Sequence, residues 1–368
     1  MTLIRRYHIV KKFFSSQTEI PPNLPEKCTK RILSGIQPTG ALHLGNYVGA
    51  VAQWLKLQDK YEIILSIADL HSMTLPYEPK QLSKNILELT ATLLGCGINP
   101  NRVILFQQSS VPAHTELYWS LGCISTMARL AHLPQFKEKS VNLKEIPLGL
   151  LVYPVLQAAD ILCYKATDIP VGEDQLQHIQ LTQDLARIFN NRFGATFPIP
   201  HSLILENKFI KLRSLRDPSK KMSKSDPDPK SRICLLDTPD HVLKKIKRAL
   251  TDFTSEVTYD PKDRLGVSNL IDIHSFVSKK SVEDICREAE NINTGQYKNV
   301  VARAVVEFLD PIQKSTAKYL QNEDYLLSVL ESGRKKASEL AEQTLDEVRM
   351  KSGLKLSVQK VNKIKASL

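Results

Sequence analysis

The stretch Arg31-Ile32-Leu33-Ser34-Gly35-Ile36-Gln37-Pro38-Thr39-Gly40-Ala41-Leu42-His43-Leu44-Gly45-Asn46 decides the fold. Residues 31–34 read as a short strand that enters a glycine-rich loop over 35–40. A helix follows, with Val48, Val51, Ala52 and Leu55 on one face. Residues 63–67 form a continuous apolar run, the mark of a strand covered on both faces. Leu82, Ile86, Leu89 and Leu93 mark a further helix, which Gly95 and Gly97 are expected to stop. Residues 103–106 are another buried strand. This alternation predicts an α/β domain with a doubly wound parallel sheet, Rossmann-like in layout. Beyond about residue 236 strand signals fade. Helical periodicity runs through 242–250, 281–290, 299–309, 312–330 and 334–351, which predicts an all-helical C-terminal domain. The expected division is a leader and linker over 1–22, the α/β domain over 28–235 and the helical domain over 236–368.

The chain has 368 residues, 42% of them hydrophobic, enough for a large core and two domains. No apolar run approaches the roughly 20 residues that a membrane span needs, so no membrane partner is expected. Lys+Arg number 50 against 39 Asp+Glu, a formal net charge of +11. Such an excess suits a solvated basic surface or a polyanionic partner, whose phosphates attract clustered cations. The six cysteines are scattered, with no Cys-x-x-Cys and no paired histidine spacing. That argues against structural zinc and against a disulfide framework, and no metal held by the protein itself is expected. Near the start, Arg5, Arg6, Lys11 and Lys12 precede the first acidic residue, Glu19. Leu3, Tyr7, Val10 and Phe14 recur at helical spacing between these cations. One apolar and one basic face is the composition of a mitochondrial transit peptide.

Two short motifs carry chemistry. His43-Leu44-Gly45-Asn46 lies where the first strand and its turn give way to a helix. Free backbone N–H groups and a positive helix end converge there, a ready anion site. Gly45 lets a nucleotide approach the backbone, and His43 and Asn46 can donate to a phosphate on which charge grows. Alone, the tetrapeptide reads better as a helix-capping turn with a surface histidine. Lys221-Met222-Ser223-Lys224-Ser225 is the second motif. A mobile cationic loop of this kind can fold over a triphosphate and neutralise departing pyrophosphate. Alone, it is an exposed basic loop. The chain has no Gly-x-x-x-x-Gly-Lys-Ser/Thr, so phosphate binding of the P-loop type is excluded.

Together, in this order and on this scaffold, the two motifs resemble the His-Ile-Gly-His and Lys-Met-Ser-Lys-Ser signatures of the class I aminoacyl-tRNA synthetases. Residues 34–40 (Ser-Gly-Ile-Gln-Pro-Thr-Gly), 153–162 (Tyr-Pro-Val-Leu-Gln-Ala-Ala-Asp-Ile-Leu) and 171–175 (Val-Gly-Glu-Asp-Gln) are similar to the tryptophanyl members, the mitochondrial type in particular. The resemblance runs from about Lys30 to the C-terminal helices. It implies activation of L-tryptophan by ATP, with Mg²⁺ held mainly by phosphates, and transfer to the 3′ end of mitochondrial tRNA(Trp). A homodimer in the mitochondrial matrix, with the helical domain on the anticodon side of the tRNA, is likewise implied.

Residue by residue, the resemblance implies an ATP site of Gln37, His43, Leu44, Gly45, Asn46, Gly172, Glu173, Asp174, Leu212, Lys221, Met222, Ser223, Lys224 and Ser225. Lys139 matches a phosphate-contacting lysine, and catalysis falls to His43, Asn46, Lys139, Lys221 and Lys224. The tryptophan pocket draws on Gly35, His71, Tyr153, Gln157, Asp160, Val171 and Gln175. Two positions depart from the wider pattern. Asn46 replaces the second histidine of the class signature, and Gln157 stands where many bacterial relatives have methionine. The residues themselves support the pocket. Tyr153, Gln157 and Asp160 are spaced by four and three, so one helix face presents them together. Indole offers one donor and no acceptor, so a tryptophan pocket needs apolar walls and one fixed acceptor, which Asp160 supplies. The rival readings are a tyrosyl-tRNA synthetase and an RNA-binding paralogue without activation activity.

Overall fold

The computed structural model describes residues 30–74, 76–141, 143–172, 175–203, 212–224 and 226–356. The leader over 1–22, the last residues of the basic tail (357–368), Glu173, Asp174 and Ser225 lie outside the described residues, as does the side chain of Lys139.

Five strands, β1 (Arg31–Ile36), β2 (Glu62–Ile67), β3 (Val103–Gln107), β4 (Asp168–Pro170) and β5 (His201–Leu203), form one parallel sheet. Their spatial order is β3-β2-β1-β4-β5. The doubly wound expectation is met, and each of the three strands read from sequence forms within two residues of its expected ends. β4 and β5, at three residues each, are too short to leave a periodic signal. Residues 63–67 are all buried, and alternate ones serve opposite faces. Ile63 and Leu65 join one hydrophobic core and Ile64 the other. The winding reverses between β1 and β4, which opens a crevice at the carboxyl ends of those strands.

From Pro239 onward the regular elements among the described residues are all helices, and these close both cores. Val301, Val305 and Leu309 of the Thr294–Leu320 helix enter the first core. Ala337, Ala341, Leu345 and Val348 of the Glu323–Ser352 helix enter the second. Gly333 shows how close this last helix comes to the sheet. A Cβ there would stand 1.8 Å from the carbonyl oxygen of Leu105 in β3, so only glycine fits.

Three expectations change. The segments read as 299–309 and 312–330 are not separate helices; Thr294–Leu320 runs unbroken through Pro311. Packing on the Pro79–Gly95 helix and its C-terminal neighbours outweighs the hydrogen bond that proline removes. The true break comes at Asn322, which caps the next helix by accepting from the Tyr325 N–H. Gly95 does not stop its helix by conformation: it is the last helical residue, and a Cβ there would meet Thr316 Oγ1 at 2.2 Å. Gly97, with φ of +107°, makes the turn. Finally, the helix after the first motif is interrupted by a π-turn, Tyr47–Val51, between Leu44–Asn46 and Ala52–Leu57.

Candidate active site

A cleft of about 600 Å³ opens at the carboxyl ends of β1 and β4. From β1 and its loop come Gly35 and Gln37; from the first motif, Gly45 and Asn46; from the second, Lys221; and from the segment leading to it, Leu212. His71, Tyr153, Gln157, Asp160, Val171, Gly172 and Gln175 line the same space. ATP and amino-acid candidates from widely separated stretches of the sequence therefore line one cavity. His43, Leu44 and Met222 sit behind its wall, buried.

His43 caps the helix start. Its Nδ1 accepts the Asn46 backbone N–H at 3.2 Å, and Asn46 Oδ1 accepts the His43 N–H at 3.3 Å, a reciprocal capping box. The surface-histidine alternative fails, because His43 is only 2% exposed. Burial, then the nearby Lys224, Arg232 and Lys221 cations, push its pKa down to about 3. A neutral ring whose Nδ1 accepts keeps its proton on Nε2, so His43 is an uncharged donor at neutral pH. Gly45 has a steric reason as well. A Cβ there would come within 3.0 Å of the His43 ring and 3.5 Å of the Met222 Cβ.

The second motif is the far limb of a hairpin. Arg213 and Lys221 pair antiparallel, Ser214 N–H donates to Lys220 O at 2.9 Å, and Met222 N–H donates to Leu212 O at 3.0 Å. Met222, 1% exposed, anchors the loop in the core. Ser223 follows, and Lys224 then reaches back across the glycine-rich loop. Its Nζ donates to Gly40 O at 3.0 Å and Gln37 O at 3.5 Å. Gly40 adopts φ of +108°, which turns that carbonyl without a Cβ penalty. Burial lowers the Lys224 pKa to about 8. The second motif is thus tied to the loop that precedes the first, across 184 and 187 positions of sequence.

Asp160, on the Leu148–Cys163 helix, is buried at the cleft wall. Its Oδ2 accepts from His71 Nε2 at 2.8 Å and from Gln108 Nε2 at 2.9 Å; its Oδ1 accepts from His114 Nδ1 at 2.6 Å and from Gln108 Nε2 at 2.8 Å. Burial works to raise its pKa, but the hydrogen bonds from His114 and His71 more than offset that and hold it below the carboxylate range. A surface ion pair is excluded by its burial. Two turns earlier on the same helix, Tyr153 donates its O–H to Gln135 Oε1 at 2.8 Å; at the start of the Leu176–Phe193 helix, Gln175 Oε1 lies 3.1 Å from His178 Nδ1.

Sequence reading missed Gln108, His114, Gln135 and Ser66. Ser66 and Gln135 line the cleft, and Ser66 Oγ, buried, has no partner among the described residues. The carboxyl-end rule for parallel strands would have flagged Ser66 on β2 and Gln108 just after β3. Nothing local marks His114. Lys139 lies on the short Pro134–Ser140 helix.

Comparison with known proteins agrees with this geometry. Residues 27–310 match the family model of the class I tRNA synthetases (W and Y). A tryptophan–tRNA ligase of Caldanaerobacter subterraneus subsp. tengcongensis is 45% identical over 326 residues, 88% of this chain and 98% of that protein. The crystal structure of the tryptophanyl-tRNA synthetase of Mycoplasma pneumoniae superposes with a TM-score of 0.80 at 32% identity, covering 90% of this chain and 99% of that one. That of Campylobacter jejuni, complexed with ADP and tryptophan, gives 0.78 at 29% identity, covering 88% and 99%. The cleft, its two motifs and these likenesses agree, and the chain belongs to the class I tRNA synthetases of the W and Y family.

Proposed function

We propose that the protein is a mitochondrial tryptophan–tRNA ligase. The observation that carries the reaction is one cleft in which Gly45, Asn46 and Lys221 of the two motifs face a buried carboxylate acceptor at Asp160, with the neutral His43 packed directly behind the wall. A tryptophan carboxylate oxygen attacks the ATP α-phosphorus, the bond to the bridging oxygen breaks, and pyrophosphate leaves. A hydroxyl of the 3′-terminal ribose of tRNA(Trp) then attacks the carbonyl carbon of the adenylate, the acyl–phosphate bond breaks, and AMP leaves. Little covalent chemistry falls to the chain, which positions reactants and stabilises developing charge. Mg²⁺ enters with ATP as part of the substrate, held by phosphates and water. His43 donates to phosphate without adding charge, and Lys221 and Lys224 carry the cationic work. ATP–pyrophosphate exchange with tryptophan, tyrosine and phenylalanine tests this, and tryptophan alone should support it. Exchange driven by tyrosine would favour the tyrosyl rival. No exchange at all, with tRNA still bound, would favour the RNA-binding paralogue.

Location, assembly and tRNA contact belong to the same proposal. The basic, acid-free start of the chain supports mitochondrial import, and a reporter fused to residues 1–22 should enter mitochondria; a purely cytosolic signal refutes it. Trp119 (71% exposed), Met127 (76%) and Leu148 (69%), like Met73 and Tyr77, are large apolar side chains left at the surface, which supports a homodimer. Gly149 lies against Thr74, which brings the two stretches together. Light scattering of Trp119→Glu should report a monomer, and an unchanged mass would place the interface elsewhere. The helical region and its tail, with five lysines and no acid over 351–368, support tRNA binding. Removing 357–368 should weaken tRNA charging and leave exchange intact, whereas equal loss in both would argue against a tRNA role.

A further inference from the structure

We infer that Gln108, His114 and Tyr164 are positioning residues for tryptophan selection: they hold the Asp160 carboxylate in one fixed orientation, ready to take the indole N–H in exchange for one limb of the Gln108 hydrogen bond. The inference rests on the tryptophan reading of the cleft. None of the three lines the cavity, and all are fully buried behind Asp160. A carboxylate offers about four acceptor positions, and here four contacts occupy them. Gln108 takes two of the four through a single nitrogen, at 2.8 and 2.9 Å. A three-centre contact of that kind is the one most readily yielded. An incoming N–H can replace one limb while the other still holds the side chain.

The arrangement has one possible polarity. Gln108 Oε1 accepts the Leu70 N–H at 3.2 Å, so its amide nitrogen must face Asp160. Asp69 fixes the segment on either side, accepting from Gln107 Nε2 at 2.7 Å and from the Ser109 N–H at 2.9 Å. His114 is oriented likewise. The Asp160 carboxylate can only accept, so the imidazole proton sits on Nδ1 and is aimed at it; Nε2 is left to accept the Tyr164 phenol O–H, whose Oη lies 2.7 Å away and whose proton burial retains. The titratable groups that face this carboxylate are His71, His114, Tyr164 and Cys163. Against its burial, the two histidines supply the stabilising hydrogen bonds. Without His114, one of the two hydrogen bonds that offset burial is lost, and the carboxyl's pKa rises.

The test is pyrophosphate exchange by His114→Phe, His114→Asn, Gln108→Leu and Tyr164→Phe between pH 6 and 8.5. Each is assayed with tryptophan and with its analogue carrying sulfur in place of the indole N–H. In the wild type, kcat/KM for tryptophan relative to the sulfur analogue, a ratio from which Lys224 ionisation cancels, should be flat over this range. In His114→Phe it should fall about ten- to a hundredfold, most at pH 6, and recover as the pH rises and Asp160 ionises. The sulfur analogue and the KM for ATP should change less than about threefold, within what a lost donor elsewhere would leave. His114→Asn, which restores a donor near Nδ1, should recover much of the loss. If His114→Phe does not fold, Gln108→Leu and Tyr164→Phe carry the test with the same selective loss. Equal loss for both amino acids without pH dependence, or unchanged tryptophan preference in folded variants, would overturn the inference. Absence of tryptophan exchange in the wild type would instead overturn the reading of the cleft beneath it.

Discussion

Replacing Lys224 by alanine is expected to lower kcat for adenylate formation roughly ten- to a thousandfold, the scale of a single electrostatic donor lost from a transition state. Lys224 is placed for two tasks. It ties the second motif to Gln37 and Gly40 of the glycine-rich loop, and it brings a positive charge beside His43. Pyrophosphate gains charge as it departs, so a cation closing over it helps most in the transition state. Lys221→Ala, which removes a cation from the cleft wall itself, should behave alike. A pH signature separates Lys224 from a bland structural lysine. Burial brings its pKa down to about 8, so the free enzyme loses this charge as pH rises through that value. The kcat/KM for ATP, which reports free-enzyme ionisations, should decline above about pH 8. In Lys224→Arg, which stays charged, that limb should vanish. If alanine raised only the KM for ATP and left kcat intact, the loop would be a binding element and no more.

The parts of this molecule that were legible from sequence are those governed by local rules. β1, β2 and β3 announced themselves because buried parallel strands are apolar on both faces, and the run over 63–67 is buried throughout. The two motifs were legible because phosphate chemistry constrains residue type and spacing within a few positions. What sequence could not supply were contacts between distant segments. The Asp160 network draws on positions 46, 52 and 89 residues apart in the chain, and no periodicity encodes such a meeting. Gly95 and Gly333 teach the same lesson. Each is glycine because another element passes close by, Thr316 in one case and the Leu105 carbonyl in the other. Read locally, Gly95 was a helix stop. Pro311 misled for the opposite reason, since a strong local rule was overridden by tertiary packing.

Asp160→Ala should damage tryptophan selection more than ATP use, and the structure changes what else to expect of it. A substrate N–H stranded in an apolar slot costs about 1–3 kcal/mol, or roughly ten- to a few hundredfold in kcat/KM for tryptophan. Phenylalanine has no N–H to strand, so the variant should reject it less strongly than the wild type does. The carboxylate also satisfies His71, Gln108 and His114, and alanine would leave three buried donors without an acceptor. Thermal stability should therefore fall together with selectivity, and kinetics must be read below the lowered melting point. Asparagine, which retains a carbonyl, looks from sequence like a mild replacement. In this nest its –NH₂ would face His71 Nε2 or His114 Nδ1, donor against donor, so its loss should approach that of alanine. The native carboxyl is held below its ordinary 3.8, because the His114 and His71 hydrogen bonds outweigh burial. Its contribution to stability is thus complete above that value and is lost only as pH falls beneath it. Wild-type selection should accordingly be constant from about pH 6 to 8, well above the ordinary carboxylate range. Exchange kinetics for wild type, alanine and asparagine with both amino acids, beside melting curves, measure all of this. A folded alanine variant that still preferred tryptophan over phenylalanine as the wild type does would show that Asp160 does not read the indole, and the acceptor would have to be sought elsewhere in the cleft.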